Sequence, residues 1–175
     1  MTGSSASPQS GFDDLGELAA VSKRFPHATT VLQRAFPEMG PVELRQFARY
    51  VHLCVAREGA VLFREGDPGK FMLFVIDGMV QVLKGDPNEG NTLGLLDAGK
   101  SLGEMALIDG RTRSATCVAM QDCAFAMLTE SALSQLVSEQ PRLGVTIYRH
   151  LAQHLSGRLR RLSDAAAEKW DPFEM

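Results

Sequence analysis

The chain has 175 residues, of which 45% are hydrophobic and 22% charged, and its net charge is −3. This length suits one domain with a buried core. The small net charge, spread over both signs, argues against non-specific binding of nucleic acid and of anionic membranes. No apolar run approaches the about 18 residues of a membrane span, and residues 1–11 lack the pattern of a signal peptide. We therefore expect a cytoplasmic protein with no membrane segment.

The N-terminal part is predicted to be helical after a disordered start. Residues 1–10 are rich in Ser, Gly and Pro, which is typical of disorder, and the helical segment covers 11–51. Asp13 and Asp14 suit the N-terminal turn of a first helix. The predicted helices are Leu15–Val21, about Ala28–Phe36, and a third that begins after Pro41 and carries Val42, Leu44, Phe47 and Val51 at helical spacing.

From about His52 the pattern changes to short β-branched and aromatic runs separated by turns that contain glycine. The predicted strands are Ala60–Phe63, Phe71–Ile76, Val80–Leu83, Thr92–Leu96, Ser114–Val118 and Cys123–Leu128. Strands this short, at this spacing, indicate a closed antiparallel sandwich or barrel over 52–128.

Two helices are predicted to close the chain. Thr129 suits the N-cap of a helix over Ser131–Glu139, and Pro141 opens a last helix that runs to about Ala167. The helical segment is 129–167 and the tail 168–175. The predicted fold class is mainly β with flanking helices.

Residues 99–116 interrupt the rhythm of the strands. Met105–Ile108 can form one helical turn that begins at Gly103 and Glu104, and Arg113 starts the next strand. The N–H groups at a helix start attract an anion, and glycine lets backbone approach a ligand closely. An arginine can bind a phosphate through two parallel hydrogen bonds, and a carboxylate can accept one from a sugar hydroxyl. The segment therefore suits a ligand with one negative charge and one hydroxyl.

The runs Gly103-Glu-Met-Ala-Leu107 and Arg113-Ser-Ala-Thr116, with Glu104 and Arg113 nine positions apart, resemble the phosphate-binding cassette of the cyclic-nucleotide-binding domain family. This family includes the catabolite activator protein, kinase regulatory subunits and cyclic-nucleotide-gated channels. The resemblance covers roughly 36–163 and includes Glu65-Gly66-Asp67, Asp77-Gly78 and Gly99. It implies a β-jelly-roll (double-stranded β-helix) barrel with N-terminal helices, a short cassette helix and a long C-terminal helix.

The resemblance also implies a set of ligand contacts. Glu104 would bind the ribose 2′-hydroxyl and Arg113 the exocyclic phosphate oxygens, and the ligand would be cyclic AMP or cyclic GMP with no further cofactor. The remaining predicted contacts are Gly103, Met105, Ala106, Leu107, Ser114 and Ala115 around the phosphate, Val82 and Leu96 against the base, and Arg158 and Leu159, near Leu155, on the last helix. The Ser114 hydroxyl could serve either the phosphate or a syn guanine, so the base preference stays open. Leu102 and Thr112 replace an aromatic residue and a proline that are common in the family.

The apolar pattern of the predicted last helix has two possible interpretations. Tyr148, Leu151, Leu155, Arg158 and Leu162 alternate at spacings of three and four, an a/d seam that predicts either a homodimer through 141–163 or packing on the same chain's barrel. His150 and His154 are four residues apart, but no third metal ligand accompanies them. We therefore predict no metal site.

Catalysis is not expected. A metal-binding cupin needs a cluster of histidines inside the barrel, and at most His52 lies there. The three cysteines, Cys54, Cys117 and Cys123, are predicted to be buried thiols. Asp164–Met175 are too few residues for a helix-turn-helix, so we expect no direct DNA binding. The sequence predicts a stand-alone cyclic nucleotide receptor that signals to a protein partner through movement of its C-terminal helix. The alternative is a degenerate, ligand-free interaction module in which Glu104 and Arg113 form an internal salt bridge.

Overall fold

The computed structural model describes residues 19–20 and 28–169. The described strands are β1 (Ala19–Ala20), β2 (His52–Ala56), β3 (Val61–Phe63), β4 (Phe71–Asp77), β5 (Val80–Lys84), β6 (Asn91–Leu96), β7 (Ser101–Leu102), β8 (Thr116–Ala119) and β9 (Cys123–Thr129). The described helices are α1 (Ala28–Ala35), α2 (Pro41–Phe47), α3 (Glu104–Asp109), α4 (Glu130–Glu139) and α5 (Pro141–Lys169). The chain divides into two compact units, 1–132 and 133–175.

The strands form two antiparallel sheets in the first unit. One sheet has the order β1-β2-β9-β4-β7 and the other the order β3-β8-β5-β6. The core contains side chains from both sheets, among them Leu73 and Phe125 from the first and Leu62 and Val80 from the second. The side chains of two sheets that share one core interdigitate across it. The structure therefore confirms the predicted fold class.

Three phenylalanines attach the helical lead-in to the first sheet. The ring of Phe36, just after α1, lies 5.1 Å from that of Phe47 in α2 and 4.9 Å from that of Phe74 in β4. All three side chains are almost completely buried, and the rings meet edge to face, the arrangement that aromatic quadrupoles favour. The cluster thus fixes both short helices against β4.

Two of the N-terminal predictions were wrong in part. Ala19 and Ala20, predicted as helix, pair with Val55 and Cys54 of β2, and the other residues of Leu15–Val21 lie outside the described part of the chain. Helix α2 ends at Phe47, so Val51 does not belong to it. Ala19 and Ala20 follow a strand that is distant in sequence, and Val51 directly precedes β2, which pairs with the distant strand β9. Local spacing cannot reveal either pairing.

Several strand ends also differ from the prediction. Ser114 lies before β8, which begins at Thr116, and the strand β2 and the two-residue strand β7 were not predicted as separate elements. β7 exists because Leu102 and Ser101 pair with Leu73 and Phe74 of β4. Two residues carry no periodicity, so only the pairing identifies this strand.

The second unit consists mainly of α4 and α5. The backbone N–H of Ala132 donates to Thr129 Oγ1 at 3.2 Å, which confirms the predicted N-cap of α4. A Cβ at Gly144 would come within 2.9 Å of the Val137 side chain, so a glycine lets the two helices approach closely. The buried side chains of these helices are Leu133, Leu136, Leu143, Ile147, His150 and Leu151.

The predicted seam on α5 does not form one exposed face. Leu151 is fully buried, whereas Tyr148 and Leu162 are exposed. The register of a helical stripe depends on which side of the helix is already covered, and the sequence spacing alone fits more than one register.

Replacing Phe36 tests the aromatic cluster. We expect Phe36→Ala to lower the free energy of unfolding by about 3–5 kcal/mol, because it removes a buried ring from contact with Phe47 and Phe74. Val42→Ala, at an exposed position of α2, should change it by less than about 0.5 kcal/mol. Chemical denaturation of both variants measures the difference. Equal, small losses would show that the helices are not held through this cluster.

Candidate functional site

A short helix with a glycine at each end lies opposite Arg113. Helix α3 begins after Gly103, whose φ is 79°, and ends at Gly110, whose φ is 69°. Both values lie in the left-handed region that glycine adopts without strain. A Cβ at Gly103 would also overlap Nη1 of Arg113. The start of α3 therefore requires glycine both for its conformation and for its distance from the arginine.

The guanidinium of Arg113 is buried, and aromatic rings and backbone fix its position. Only 2% of the residue is exposed, and its Cζ lies 4.1 Å from the ring centroid of Phe63 and 4.5 Å from that of Phe71. Nη1 donates a hydrogen bond to the carbonyl oxygen of Gly103 at 3.0 Å. The backbone N–H of Arg113 donates to Asp67 O at 2.8 Å. The arginine is thus held from three sides before any ligand is considered.

The hydrogen-bonding capacity of this guanidinium is only partly used. Nε and Nη2 are buried and have no hydrogen-bond partner among the residues that the structure describes. Burial lowers the pKa of Arg113 to about 10, while Cys117, Asp67 and Glu104 act in the opposite direction. The group therefore stays protonated at neutral pH. A buried cation with unmatched donors is unfavourable by itself and suits an anionic ligand.

Glu104 is the first residue of α3 and is 99% buried, since its relative exposure is 1%. Its charge acts on Arg113 through space and raises the pKa of the arginine, although less than burial lowers it. The Arg113 side chain also donates to the Gly103 carbonyl. Glu104 thus places a negative charge near Arg113, and the internal salt bridge of the alternative stays a prediction.

A second set of contacts fixes the backbone that follows Arg113. Lys84 Nζ donates to the Ser114 carbonyl oxygen at 2.9 Å and forms an ion pair with Glu65 at 2.5 Å. Glu65 also accepts from the Gly85 N–H at 2.9 Å, and both hydrogen bonds, that from Lys84 first, lower its pKa. Thr116 Oγ1 donates to the Gly85 carbonyl at 2.7 Å. The Ser114 carbonyl therefore points towards β5, which orients the peptide that follows.

Sequence reasoning missed Lys84. It ends a predicted strand as one charged residue among many, and nothing local marks it as a partner of Ser114. Only the pairing of Leu83 with Thr116 between β5 and β8 brings the two segments together.

The structure brings most of the predicted phosphate contacts into one region. Ser114 Oγ lies 3.6 Å from Met105 Sδ, and both residues are exposed. Ala106 and Leu107 of α3 are buried, and so is Ala115, the residue that follows Ser114. A Cβ at Gly69 would overlap that of Ala106, so a close backbone approach also holds α3 against the turn before β4.

The remaining predicted contacts belong to other secondary-structure elements. Val82 on β5 and Leu96 on β6 are partly buried and pack against the hydrophobic core. Arg158 is partly buried and Leu159 is 69% exposed, and both lie on α5 in the second unit. The roles of these four residues stay predictions.

The described residues also bear on metal, thiol and membrane chemistry. Within residues 19–20 and 28–169 no group of three His, Cys, Asp or Glu side chains could hold a metal ion. Burial raises the pKa of the Cys54 thiol to about 12 and also raises that of Cys123. Both thiols are therefore protonated at neutral pH. None of the described helices is long and apolar enough to cross a membrane.

Comparison with known proteins gives consistent matches. The sequence model of the family described as "Cyclic nucleotide-binding domain" matches residues 54–140. A cyclic nucleotide-gated potassium channel of Mesorhizobium japonicum is 34% identical over 122 residues, which are 70% of this chain and 32% of the channel. The chain thus spans about a third of the length of that relative.

Solved structures show the same likeness. A cyclic nucleotide-binding domain from Methylobacillus flagellatus KT is 32% identical with a TM-score of 0.79, and the match covers 91% of this chain and 93% of that one. The catabolite activator protein of Thermus thermophilus is 26% identical with a TM-score of 0.63, over 76% of this chain and 63% of that one.

Arg113→Met tests whether the guanidinium serves the fold or a ligand. We expect the free energy of unfolding of the ligand-free protein to change by less than about 1 kcal/mol, because methionine keeps the apolar contacts and removes a desolvated charge. Arg111→Met, at an exposed neighbouring position, is the matched control. A loss of about 3–5 kcal/mol in Arg113→Met alone would mean that the arginine is a structural partner.

Proposed function

We propose that this chain, which belongs to the cyclic nucleotide-binding domain family, binds one molecule of cyclic AMP or cyclic GMP at α3 and Arg113. The observation that carries the proposal is the buried guanidinium of Arg113, with two nitrogen atoms that have no hydrogen-bond partner in the described part of the chain. A cyclic phosphate supplies one negative charge and two exocyclic oxygens. Both match the planar fork of an arginine.

The ribose contact follows from the position of Glu104. Its carboxylate lies at the start of α3 and is almost completely buried. A buried carboxylate gains from a hydroxyl donor, which the 2′-hydroxyl of the cyclic nucleotide provides. Gly103 has no side chain, so the ligand can approach the backbone between the two charged groups.

The base would lie against apolar residues outside the charged region. Val82 and Leu96 lie on adjacent strands of the second sheet, and Ala115 is buried near Arg113. These side chains offer van der Waals contact to any purine and do not distinguish adenine from guanine. The Ser114 hydroxyl, whose contact is the Met105 sulfur, can turn towards either the phosphate or a syn guanine.

We further propose that the chain is a receptor rather than a catalyst and that α5 carries its output to a protein partner. The family is generally a binding and regulatory domain, and the related channel of Mesorhizobium japonicum is named as cyclic nucleotide-gated. Nucleotide binding would shift the population of α5 conformations. A partner that prefers one conformation would then read the occupancy of the site.

A second candidate is a ligand-free interaction module. Arg113 already donates one hydrogen bond to Gly103 and packs against two aromatic rings, so part of its desolvation is compensated inside the fold. This candidate predicts a folded protein that binds neither nucleotide, and the titration below separates it from the receptor.

Calorimetric titration with cyclic AMP and cyclic GMP tests the binding site. We expect one nucleotide per chain, with the affinity lowered about 100-fold or more in Arg113→Ala, because a buried charged contact to the phosphate is lost. Glu104→Gln should weaken binding about tenfold or more through the ribose contact. Arg111→Ala is the matched control and should bind like the unchanged protein.

Deoxy analogues refine this test. A 2′-deoxy cyclic nucleotide lacks the group that Glu104 is proposed to bind, so it should bind the unchanged protein and Glu104→Gln with similar affinity. If neither cyclic nucleotide binds the folded, unchanged chain, the receptor proposal fails and the ligand-free module stands.

Amide hydrogen exchange tests the proposed output. A saturating cyclic nucleotide should change the exchange rates over 141–163 in addition to slowing exchange around α3. Amides of Leu53–Val55 lie in β2, which pairs with β9, and serve as an internal control that should not change. Protection confined to α3 and its neighbours would leave nucleotide binding intact but contradict signalling through α5.

A further inference from the structure

Helix α5 presents an apolar stripe to solvent. Its members are Val145, Tyr148, Ala152, Leu155, Leu159 and Leu162, which are spaced three, four, three, four and three residues apart. Val145 is 67% exposed and Leu159 and Leu162 are each 69% exposed. Single exposed apolar residues are ordinary, but six at this spacing form one continuous line along the helix.

The N-terminal part of this stripe lies opposite the face that α5 already buries. Leu143, Ile147 and Leu151 are buried and recur every four residues. Ile147 lies two positions after Val145, which places it roughly 160° away around the helix at 3.6 residues per turn. The first part of the helix therefore has two apolar faces, of which the one at Val145 and Tyr148 is exposed. Further along, Leu155 is partly buried and lies roughly 40° around the helix from Leu151.

A line of arginines borders the exposed stripe. Arg142, Arg149 and Arg160 are all exposed and are separated by seven and eleven residues, which are close to two and three helical turns. Measured around the helix axis, all three arginines lie roughly 50° from Val145, on the same side of the stripe. Residues 141–163 contain five arginines and no aspartate or glutamate, whereas the whole chain has a net charge of −3. The positive charge is therefore concentrated on this helix.

We propose that this surface, the stripe with its arginine border, docks an acidic amphipathic helix of a protein partner. The alternating spacing of three and four is the one that packs against another helix. Carboxylates on the partner, placed beside its own apolar seam, would meet Arg142, Arg149 and Arg160. The proposal rests on the part of the proposed function that assigns α5 to a protein partner. Its surface does not include Glu104 or Arg113, but it shares Leu159 with the predicted nucleotide contacts on the last helix.

Two other occupants fit less well. A second copy of residues 141–163 would bring five more arginines and no carboxylate, so like charges would meet along the stripe without compensation. A membrane-surface helix has a broad apolar face with cationic residues around it. Here the stripe is narrow and one of its sides adjoins the buried face at Leu151, so it does not form the broad apolar face of a membrane-surface helix.

The test uses the full chain and two designed helical peptides. Both peptides have leucine at the a and d positions; one carries glutamate at the flanking positions and the other lysine. Fluorescence anisotropy should show saturable binding of the glutamate peptide, weakened by added salt, and no binding of the lysine peptide. Arg142→Gln/Arg149→Gln/Arg160→Gln should weaken binding about tenfold, and Leu159→Glu should remove it.

Controls separate this proposal from its rivals. Arg45→Gln/Arg49→Gln/Arg64→Gln removes three exposed charges from the first unit and should leave peptide binding unchanged. The proposal is overturned if both peptides bind equally or neither binds. It is also overturned if light scattering shows a dimer that Leu159→Glu dissociates, or if phosphatidylserine vesicles bind the chain through Leu159 while the glutamate peptide does not.

Discussion

The site depends on one unfavourable interaction, the burial of a guanidinium in an apolar environment. Arg113 lies between the rings of Phe63 and Phe71 and uses one nitrogen on the Gly103 carbonyl. Burial depresses its pKa, yet the group remains charged at neutral pH. A fold can retain such a group when surrounding contacts over-determine its position. The position of the guanidinium is fixed by three features of the backbone: the left-handed Gly103, the short helix α3 and the close approach of Gly69 to Ala106.

The sheets supply the rigidity that this arrangement requires. Ser101 and Leu102 pair with β4 immediately before Gly103, and the backbone N–H of Arg113 is bonded to Asp67 just before β4. Both halves of the site are therefore anchored next to the same buried strand. The Lys84 contact adds a third anchor from β5 to the Ser114 carbonyl. A change in the register of either sheet would separate Gly103 from Arg113.

The two compact units differ in the chemistry that they expose. The first unit places its distinctive charged groups, Glu104 and Arg113, out of solvent, where each can interact strongly with a small ligand. The second unit places its arginines and a line of apolar side chains on the surface of α5. Buried charges favour tight, specific recognition of a small anion, whereas an exposed amphipathic stripe favours a macromolecular surface. Substitutions at Arg113 and substitutions at Arg142, Arg149 or Arg160 therefore affect different surfaces of the chain.

The sequence by itself determined the elements that rest on local patterns. These are the strands β3 to β6 and β9, the N-cap Thr129, and the short helix α3 that begins after Gly103. Turn glycines, helix caps and alternating burial each depend on a few neighbouring residues, so the sequence alone predicts them. Only the tertiary structure decided that Ala19 and Ala20 form a strand, that Leu151 is buried, and that Lys84 bonds to Ser114. Each of these outcomes depends on a partner distant in sequence or on which helix face is covered, and such contacts override local propensity.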